Sequence, residues 1–495
     1  MMTRTGVIRP SRSNAEMQPL IVIGHPGDRR TEGIRQARER LGLPPAIILP
    51  YAGLLQGRHI AELLAEQQPA IADAAGRGSV SPLLRLDSPG GSFESERALI
   101  ALGAPDAPDA SDALYPGLER QQHSSLPPGT GQRGHDSLPP NMEQRQLDSL
   151  PPNTEQRRLG SLPPNTEQRQ LDSLPHSAER PQLGPLPLSV KAALRLQDLP
   201  GVLHHPSQWF RGYCRLLGRL KREAAAAWPG AEWLNDPAEI IAMTDKRETQ
   251  RTLAAAGVPV PRPLGGTQPP VDYASLREKM AAERMHRVFI KLACGSAASG
   301  VIAYQVNPST GAELAITTVG VESFITRPPV YYNSGKLRRY TDRKTIEAII
   351  NWLYRHGAYA EQWVPKASQG GRSFDIRQLV VFGEACHAVA RCSTTPITNL
   401  HLRSQRMTPT EAGLSEEMLE QVQETARQAL AAFPGSAIAG MDVLVSGNPQ
   451  RTYIADVNPF GDLLYDVEYH GYGTYEWEMK MLADRAQPSL PQHRL

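Results

Sequence analysis

The stretch Ala439-Gly440-Met441-Asp442-Val443-Leu444-Val445, followed by Thr452-Tyr453-Ile454-Ala455-Asp456-Val457-Asn458-Pro459, decides how the rest of the chain is read. Each half is a short apolar run interrupted by acidic or amide side chains, and Ser446-Gly447-Asn448-Pro449 between them is turn material. A hairpin centred on Pro449 sets Asp442 opposite Asp456. Asn458 then shares a face with Asp456, because side chains alternate along a strand. Opposed carboxylates on one sheet face repel. A bound divalent cation removes that penalty. Two carboxylates and an amide make an oxygen-only set suited to Mg²⁺ (or Mn²⁺) holding phosphates. The blander alternative is a solvated hairpin with acidic residues on its wet face.

Working back from the hairpin, a helix is predicted from about Ser415 to Ala432. Before it, Phe374 to Gly383 and Ala385 to Arg391 read as a second hairpin, turning at Gly383-Glu384, with Arg377 and Arg391 near its ends. Paired arginines on strands are usually salt-bridged scaffold; beside a phosphate site they become charge clamps. Ala358-Tyr359-Ala360-Glu361-Gln362-Trp363-Val364-Pro365 is a strand ending in a bend. Arg287 to Leu292 is a strand carrying one lysine, Lys291, in apolar company. The loop Cys294-Gly295-Ser296-Ala297-Ala298-Ser299-Gly300 comes directly after it. A run of small residues lets backbone N–H groups approach an anion, although such runs also make ordinary turns. Thr244-Asp245-Lys246 reads as a capped helix start, running to Ala256 with Gly257 as its stop.

Toward the N-terminus, Leu20–Ile23, Ala46–Pro50 and Leu83–Leu86 read as strands. The loops Gly24-His25-Pro26-Gly27-Asp28 and Asp87-Ser88-Pro89-Gly90-Gly91-Ser92 come after the first and the third. Strand, glycine-rich loop and helix, repeated, predict a small α/β domain. There is no GxGxxG, so no dinucleotide site is expected. The loops suit an anion at a helix N-terminus, or are plain strand-to-helix turns with a cap at Ser92. Between about 124 and 187, leucines recur every twelve residues from Leu126 to Leu186, mostly inside copies of Ser-Leu-Pro-Pro-Asn-Thr-Glu-Gln-Arg-Gln-Leu-Asp. Pro-Pro pairs break helix and central strand alike, and one or two leucines per repeat cannot offset the entropy of ordering it. A disordered insertion in a surface loop is expected, with a peptide-docking or spacer role as the alternative.

Across 495 residues, 53 basic side chains face 51 acidic ones, for a net charge of +2. No global field therefore draws the chain to nucleic acid or to an anionic membrane. No apolar run is long enough for a membrane span or a signal-peptide core. Cys214, Cys294, Cys386 and Cys392 show no CxxC spacing, as expected of reduced thiols in a cytoplasmic protein.

Taken in order, these pieces resemble the ATP-grasp superfamily over roughly Asp236 to Glu468. Asp245-Lys246 with Gly257-Val258-Pro259-Val260-Pro261 looks like the opening of its nucleotide-binding fold. Lys291 with Gly295, Ser296 and Gly300 is similar to its second lysine and phosphate-covering loop. Glu361, Gln362, Trp363 and Val364 resemble the linker whose backbone meets adenine. Asp375-Ile376-Arg377, Arg391 and Thr398-Asn399-Leu400-His401 resemble the branch that joins amino acids to peptides or proteins. Asp442, Asp456 and Asn458 match its metal motif, with Asp456 where Glu is usual; Leu292-Ala293 also stand after Lys291 where a proline is more common. More narrowly, the chain is similar to an uncharacterised bacterial ATP-grasp family, whose pattern does not include the repeats.

The resemblance implies an α/β and α+β fold. A Rossmann-like, pre-ATP-grasp domain (19–123, completed by 188–235) would come after a disordered leader (1–18), and a two-lobed ATP-grasp domain (236–485) would come after the insertion (124–187). The implied activity is an ATP- and Mg²⁺-dependent ligase joining a small-molecule or peptide carboxylate to an amine or thiol, through an acyl phosphate, with release of ADP and phosphate. Lys246 and Lys291 would lie on the phosphates, Arg391 on the transferred group, and Arg377 and Asn399 nearby. A kinase that phosphorylates a small molecule, or a nucleotide-binding module without turnover, are the alternatives.

Overall fold

The structure is a computed structural model; it describes residues 18–107, 187–295, 298–326, 328–402, 404–447, 449–461 and 464–486. The expected leader and repeat insertion lie outside the described residues, except for the last residue of each. The described residues belong to one unit, 1–121 with 185–495, and form a mixed α/β fold of one parallel and two antiparallel sheets.

In the first sheet, β1 (Leu20–Gly24), β2 (Ile47–Pro50), β3 (Leu83–Leu86) and β4 (Glu232–Trp233) pair in parallel in the order β2-β1-β3-β4. Every residue of β1 is buried, as a strand covered on both faces requires. Ile21 and Ile23 pack with Leu216, Leu217 and Leu220 of the helix Pro206–Ala227. Leu20 and Val22 pack with Ile34 of the helix Arg29–Arg40 and with Tyr475 and Met479 of the helix Thr474–Ala486. The helix Phe93–Leu102, capped by Ser92 as expected, crosses Pro206–Ala227 where a Cβ on Gly212 would lie 1.8 Å from Leu99 O. Only glycine allows that approach. On either side of 108–186 the chain is tied together: Val190 N donates to Asp106 Oδ1 (2.9 Å), and Gln208 Nε2 donates to Ile100 O (2.8 Å) and Leu188 O (2.9 Å).

The second sheet is antiparallel, with β5 (Arg287–Leu292), β6 (Val301–Val306), β7 (Glu313–Glu322), β8 (Val330–Tyr340) and β9 (Ala358–Gln362) in the order β8-β7-β6-β5-β9. Val288, Ile290 and Leu292 pack with Leu276 and Met280 of the helix Tyr273–Ala282 and with Ile346 and Ile350 of the helix Arg343–Arg355. Strand alternation therefore turns Phe289 and Lys291 to the other face.

The third sheet contains β10 (Ser368–Gln369), β11 (Arg372–Val381), β12 (Glu384–Ser393), β13 (Gln405–Met407), β14 (Ile438–Val445) and β15 (Thr452–Asn458). Its order is β13-β12-β11-β14-β15, antiparallel throughout, with β10 paired to β11. Ile376, Met441, Val443, Ile454 and Val457 pack on Val422, Ala426 and Leu430 of the helix Glu416–Ala431, which Ser415 caps. The β11–β12 turn falls at Phe382-Gly383, one residue before the expected Gly383-Glu384, because Val381 pairs with Glu384. Both central residues have positive φ, 49° and 83°, the backbone a two-residue hairpin turn demands. Among the described residues no helix is long and apolar enough to cross a membrane.

Candidate active site

Register places the polar residues of the third sheet on the face away from the helix Glu416–Ala431. Arg391, Asp375 and Leu444 are cross-strand neighbours, and one row along so are Arg377, Asp442 and Asp456. The expected opposition of Asp442 and Asp456 is observed, and Gly440 faces Asn458. A single register through the hairpin is not: from Val443 onward the partners slip by one, Val443 facing Ile454, so Ala455 is an extra residue. Such a bulge twists the strand locally and re-aims the side chains beyond it. The Ala455 carbonyl accepts a bond from Lys291 Nζ (3.4 Å), joining the third sheet to the second.

The two carboxylates do not face each other as an unrelieved pair; each is matched by cations. Asp442 meets Arg377 Nε (2.9 Å) and Arg391 Nη2 (3.1 Å), and Asp456 meets Lys246 Nζ at 2.8 and 3.0 Å. Lys246 opens the helix Lys246–Ala255, capped by the fully buried Asp245, and its own N–H donates to Ala293 O (2.9 Å) beside the glycine-containing loop. Asp375 accepts from Arg391 Nε (2.7 Å) on one oxygen, and from Lys366 Nζ (3.1 Å) and the Thr398 hydroxyl on the other. Burial alone would raise the Asp375 carboxyl, but Arg391 and Lys366 outweigh it and hold it below the usual carboxylate range. At Arg391 burial is likewise outweighed, by Asp375 and Asp442, which keep the guanidinium charged. Lys366 is the opposite case. Burial pushes its amine below the ordinary lysine value, and Asp375 offsets this only in part.

From the second sheet, Lys291 Nζ meets Glu361 Oε1 at 2.5 Å. Burial would lower its pKa, but Glu361, Asp456 and Asp442 together raise it, so the amine stays protonated. Glu361 Oε2 also accepts from Tyr359 OH (2.9 Å) and from Gln250 Nε2. The Glu361 side chain is thus tied to Lys291, while the backbone of the next residues is tied to neighbouring strands. Gln362 N donates to Arg262 O (2.8 Å), and Trp363 N donates to Arg287 O (3.3 Å). On this same face Val301, Ala303 and Ile397 cluster with Phe289, Ile316 and Trp363, and Val364 is buried just beyond. This is an apolar cluster on the Lys291 face of the second sheet, joined by Ile397 from the loop after β12.

The loop after β5 needs its glycines. A Cβ on Gly300 (φ 66°) would lie 2.4 Å from Leu292 Cδ1, and one on Gly295 would lie 2.8 Å from Ser299 O. Thr318 Oγ1 donates to Ala298 O (2.7 Å) and Asn333 Nδ2 to Ser299 Oγ (2.9 Å), tying the loop to β7 and β8. Ser296 lies outside the described residues. Burial pushes the Cys294 thiol up to about 12, with Asp245 adding to it, so it is no nucleophile.

Lys246, Lys291, Arg377, Arg391, Asp442 and Asp456 are therefore linked through shared ion pairs and adjacent strands. Asn399 occupies the neighbouring loop, its N–H bonded to Ser404 Oγ (2.9 Å), and Thr398 is the residue there that touches Asp375. Lys366 and Gln250 were not singled out from sequence; their partners Asp375, Thr398 and Glu361 lie on other elements and loops. Among the described residues no three His, Cys, Asp or Glu side chains gather as a metal cage. Asn458 Nδ2 donates to Gly440 O (3.0 Å), and its amide oxygen with the Asp442 and Asp456 carboxylates is a donor set that fits a hard cation bringing phosphate and water oxygens of its own.

No protein-family model and no curated protein sequence matches the chain. Among solved structures it is similar to the ATP-grasp ligase PsnB complexed with minimal precursor, Mg and ADP, at 12% identity and a TM-score of 0.41, over 94% of this chain and 98% of that one. It is similar to D-cycloserine synthetase DcsG at 15% identity and 0.36, over 57% and 82% of the two chains. The VanG D-Ala:D-Ser ligase from Enterococcus faecalis is matched at 14% and 0.34, over 55% and 68%. Likeness at this level does not determine what this chain does. The first of these is described as an ATP-grasp ligase, the second as a synthetase and the third as a ligase.

Proposed function

We propose that the chain is an ATP-dependent carboxylate–amine ligase of the ATP-grasp type, with ATP lying between the second and third sheets. One observation carries the reading: five cations and four carboxylates, drawn from elements far apart in sequence, interlock in the space between those sheets. Scaffold ion pairs need no such surplus of cations beside an apolar surface, whereas a polyphosphate with a flat base needs both.

In this reading the base lies against Phe289 and Trp363. Lys246 and Lys291 turn from Asp456 and Glu361 to the phosphates. Arg391, fixed at its Nε by Asp375, offers its guanidinium to the γ-phosphoryl group. An arginine held this way costs no reorganisation when charge spreads over the transferring oxygens. A carboxylate oxygen of the substrate attacks the γ-phosphorus and ADP leaves. An amine then attacks the acyl carbon, loses a proton, and phosphate departs. Asp442, Asp456 and Asn458 would hold Mg²⁺, which neutralises phosphate charge when bound. The glycine-containing loop 294–300 excludes water from the transfer, and 19–123 with 188–235 would serve as the separate N-terminal domain.

The test supplies the full chain with Mg-ATP, a pool of carboxylic acids and hydroxylamine. ADP, phosphate and a hydroxamate are expected. AMP with pyrophosphate, or a stable phosphorylated product that hydroxylamine cannot intercept, would overturn the ligase reading, and the second outcome would establish a kinase.

A further inference from the structure

Asp375 fixes Arg391 with one oxygen only. Its Oδ1 accepts from Arg391 Nε at 2.7 Å, while Arg391 Nη2 turns to Asp442 Oδ2 at 3.1 Å. A carboxylate and a guanidinium left to themselves commonly close into a two-bonded fork, which is the stronger pairing. Here the second oxygen is taken. Asp375 Oδ2 accepts from Lys366 Nζ at 3.1 Å and from the Thr398 hydroxyl, and Lys366 Nζ also donates to Thr398 Oγ1. Lys366 and Thr398 close a triangle on that oxygen, and both terminal nitrogens of Arg391 stay out of the Asp375 pair.

The backbone seats Lys366 for this contact. The chain leaves the second sheet at the end of β9 and enters the third through Trp363-Val364-Pro365-Lys366. Lys366 bridges to Ser446, Ala367 N donates to Val445 O (2.7 Å), and Phe374 N donates to Ala367 O (3.1 Å). The residue is thus fixed between the end of β14 and the start of β11. Only 8% of its side chain is exposed, and only 4% of the Asp375 side chain. A buried ion pair that serves as scaffold alone can give way to apolar side chains of similar volume without loss. This pair instead stands between the linker that would carry the base and the arginine that would face the transferred group.

We propose that Lys366 is a positioning residue for phosphoryl transfer: together with Thr398 it occupies Asp375 Oδ2, keeps the carboxylate from chelating Arg391, and so leaves the terminal nitrogens of that guanidinium available. The transfer rests on the ligase reading; the hold on Arg391 does not. The charged groups facing Lys366 are Asp375 from β11, Arg391 from β12 and Lys291 from β5. Burial, with the two cations, outweighs Asp375 and sets the amine below the ordinary lysine value. Rising pH therefore strips this proton before that of an ordinary lysine. Asp375 Oδ2 then loses its charged donor, and Arg391 turns to the two-bonded pairing.

The experiment compares Lys366→Met with the parent full chain in the hydroxylamine trapping assay. The variant's kcat is expected to fall roughly 10–100-fold, with Mg-ATP affinity unchanged. Resistance to denaturant should be no lower, since methionine fills the space of the stem and Asp375 keeps Arg391 as its counter-ion. The parent's kcat should fall on an alkaline limb that is missing in Lys366→Arg, whose charge persists. An unchanged kcat in Lys366→Met, or a limb that survives in Lys366→Arg, overturns the proposal. The arginine Nε–H resonances of the isotope-labelled full chain give a readout that needs no turnover. The Arg391 signal, identified by its loss in Arg391→Lys, should shift in Lys366→Met and, in the parent, as the pH rises. If Lys366→Met does not fold, the parent's titration and Thr398→Val, with a smaller shift in the same direction, decide. A signal that stays in place overturns the hold on Arg391. A signal that shifts in a chain that turns over no ATP supports the hold and sinks the ligase reading instead.

Discussion

Arg85 and Arg391 are both buried to 3% exposure, and each is paired with a carboxylate on another element. Arg85 joins β3 to Glu478 in the helix Thr474–Ala486, inside the parallel-sheet region. Arg391 joins Asp375 and Asp442, and through them Lys366 and Arg377, on the sheet face turned away from the helix Glu416–Ala431. Burial pushes the Arg85 guanidinium down, whereas the two carboxylates at Arg391 outweigh burial and hold it up. Burial of an ion pair thus does not separate scaffold from site. What separates them is where the charges lead: one pair joins a strand to the last helix, and the other opens into a chain of exchangeable partners.

The comparison can be broken by variants. Glu478→Gln leaves a buried guanidinium without its counter-ion and should cost about 3–5 kcal/mol of stability, with ATP turnover per folded molecule retained. Chemical denaturation paired with an active-fraction assay checks it, and a loss confined to turnover would place Arg85 in the site. Arg391→Lys keeps the charge but loses the planar fork. A fall in kcat by a factor of roughly 10²–10³ is expected, with little change in ATP affinity. Steady-state kinetics beside equilibrium nucleotide binding would falsify the clamp role if affinity fell and kcat did not.

Two smaller effects sharpen the contrast between buried charge and buried neutrality. His356, against Trp352 and bonded to Ser207 at 3.4 Å, is pushed down to about 3 by burial, with His205 and Arg355 adding to it. The unfolded chain takes up this proton near its ordinary value and the folded one resists it. Stability is therefore full above about pH 6.5 and is lost as pH falls toward 3, by up to about 2 kcal/mol at pH 5. Melting curves from pH 7.5 to 5 should show a steeper decline in the parent than in His356→Gln; parallel curves would remove His356 as the cause. The smallest effect is expected from deleting Ser125 to Gly184. The Asp106–Val190 bond closes the chain without that stretch, so stability should stay within about 1 kcal/mol of the parent. A truncated chain that fails to fold, or protease resistance across 125–184, would show the repeats to be structural.

Much of the third sheet was legible because its signals are local. Turn residues and alternation were enough to set Asp442 against Asp456, and a capped start at Asp245 placed Lys246 at a helix N-terminus. The bulge at Ala455 was not legible, since nothing in Ile454-Ala455-Asp456 distinguishes an extra residue from a regular pair. Nor was the relief of the carboxylate repulsion, which comes from Lys246, Arg377 and Arg391 on three other elements. Glu361 shows the same limit: its neighbours in sequence suggested a backbone role, and its side chain proves to be the partner of Lys291. Pairing between residues that lie far apart in the chain leaves no periodic trace to read.

The closing bond between Asp106 and Val190 also has a use in engineering. Two chain ends that meet at the edge of a domain form a socket. A reporter domain whose own termini lie close can be spliced there and will hang from the host like a pendant, its folding uncoupled from it. Fluorescent or affinity labels placed at this socket would read out the molecule without touching the sheets that carry its charges.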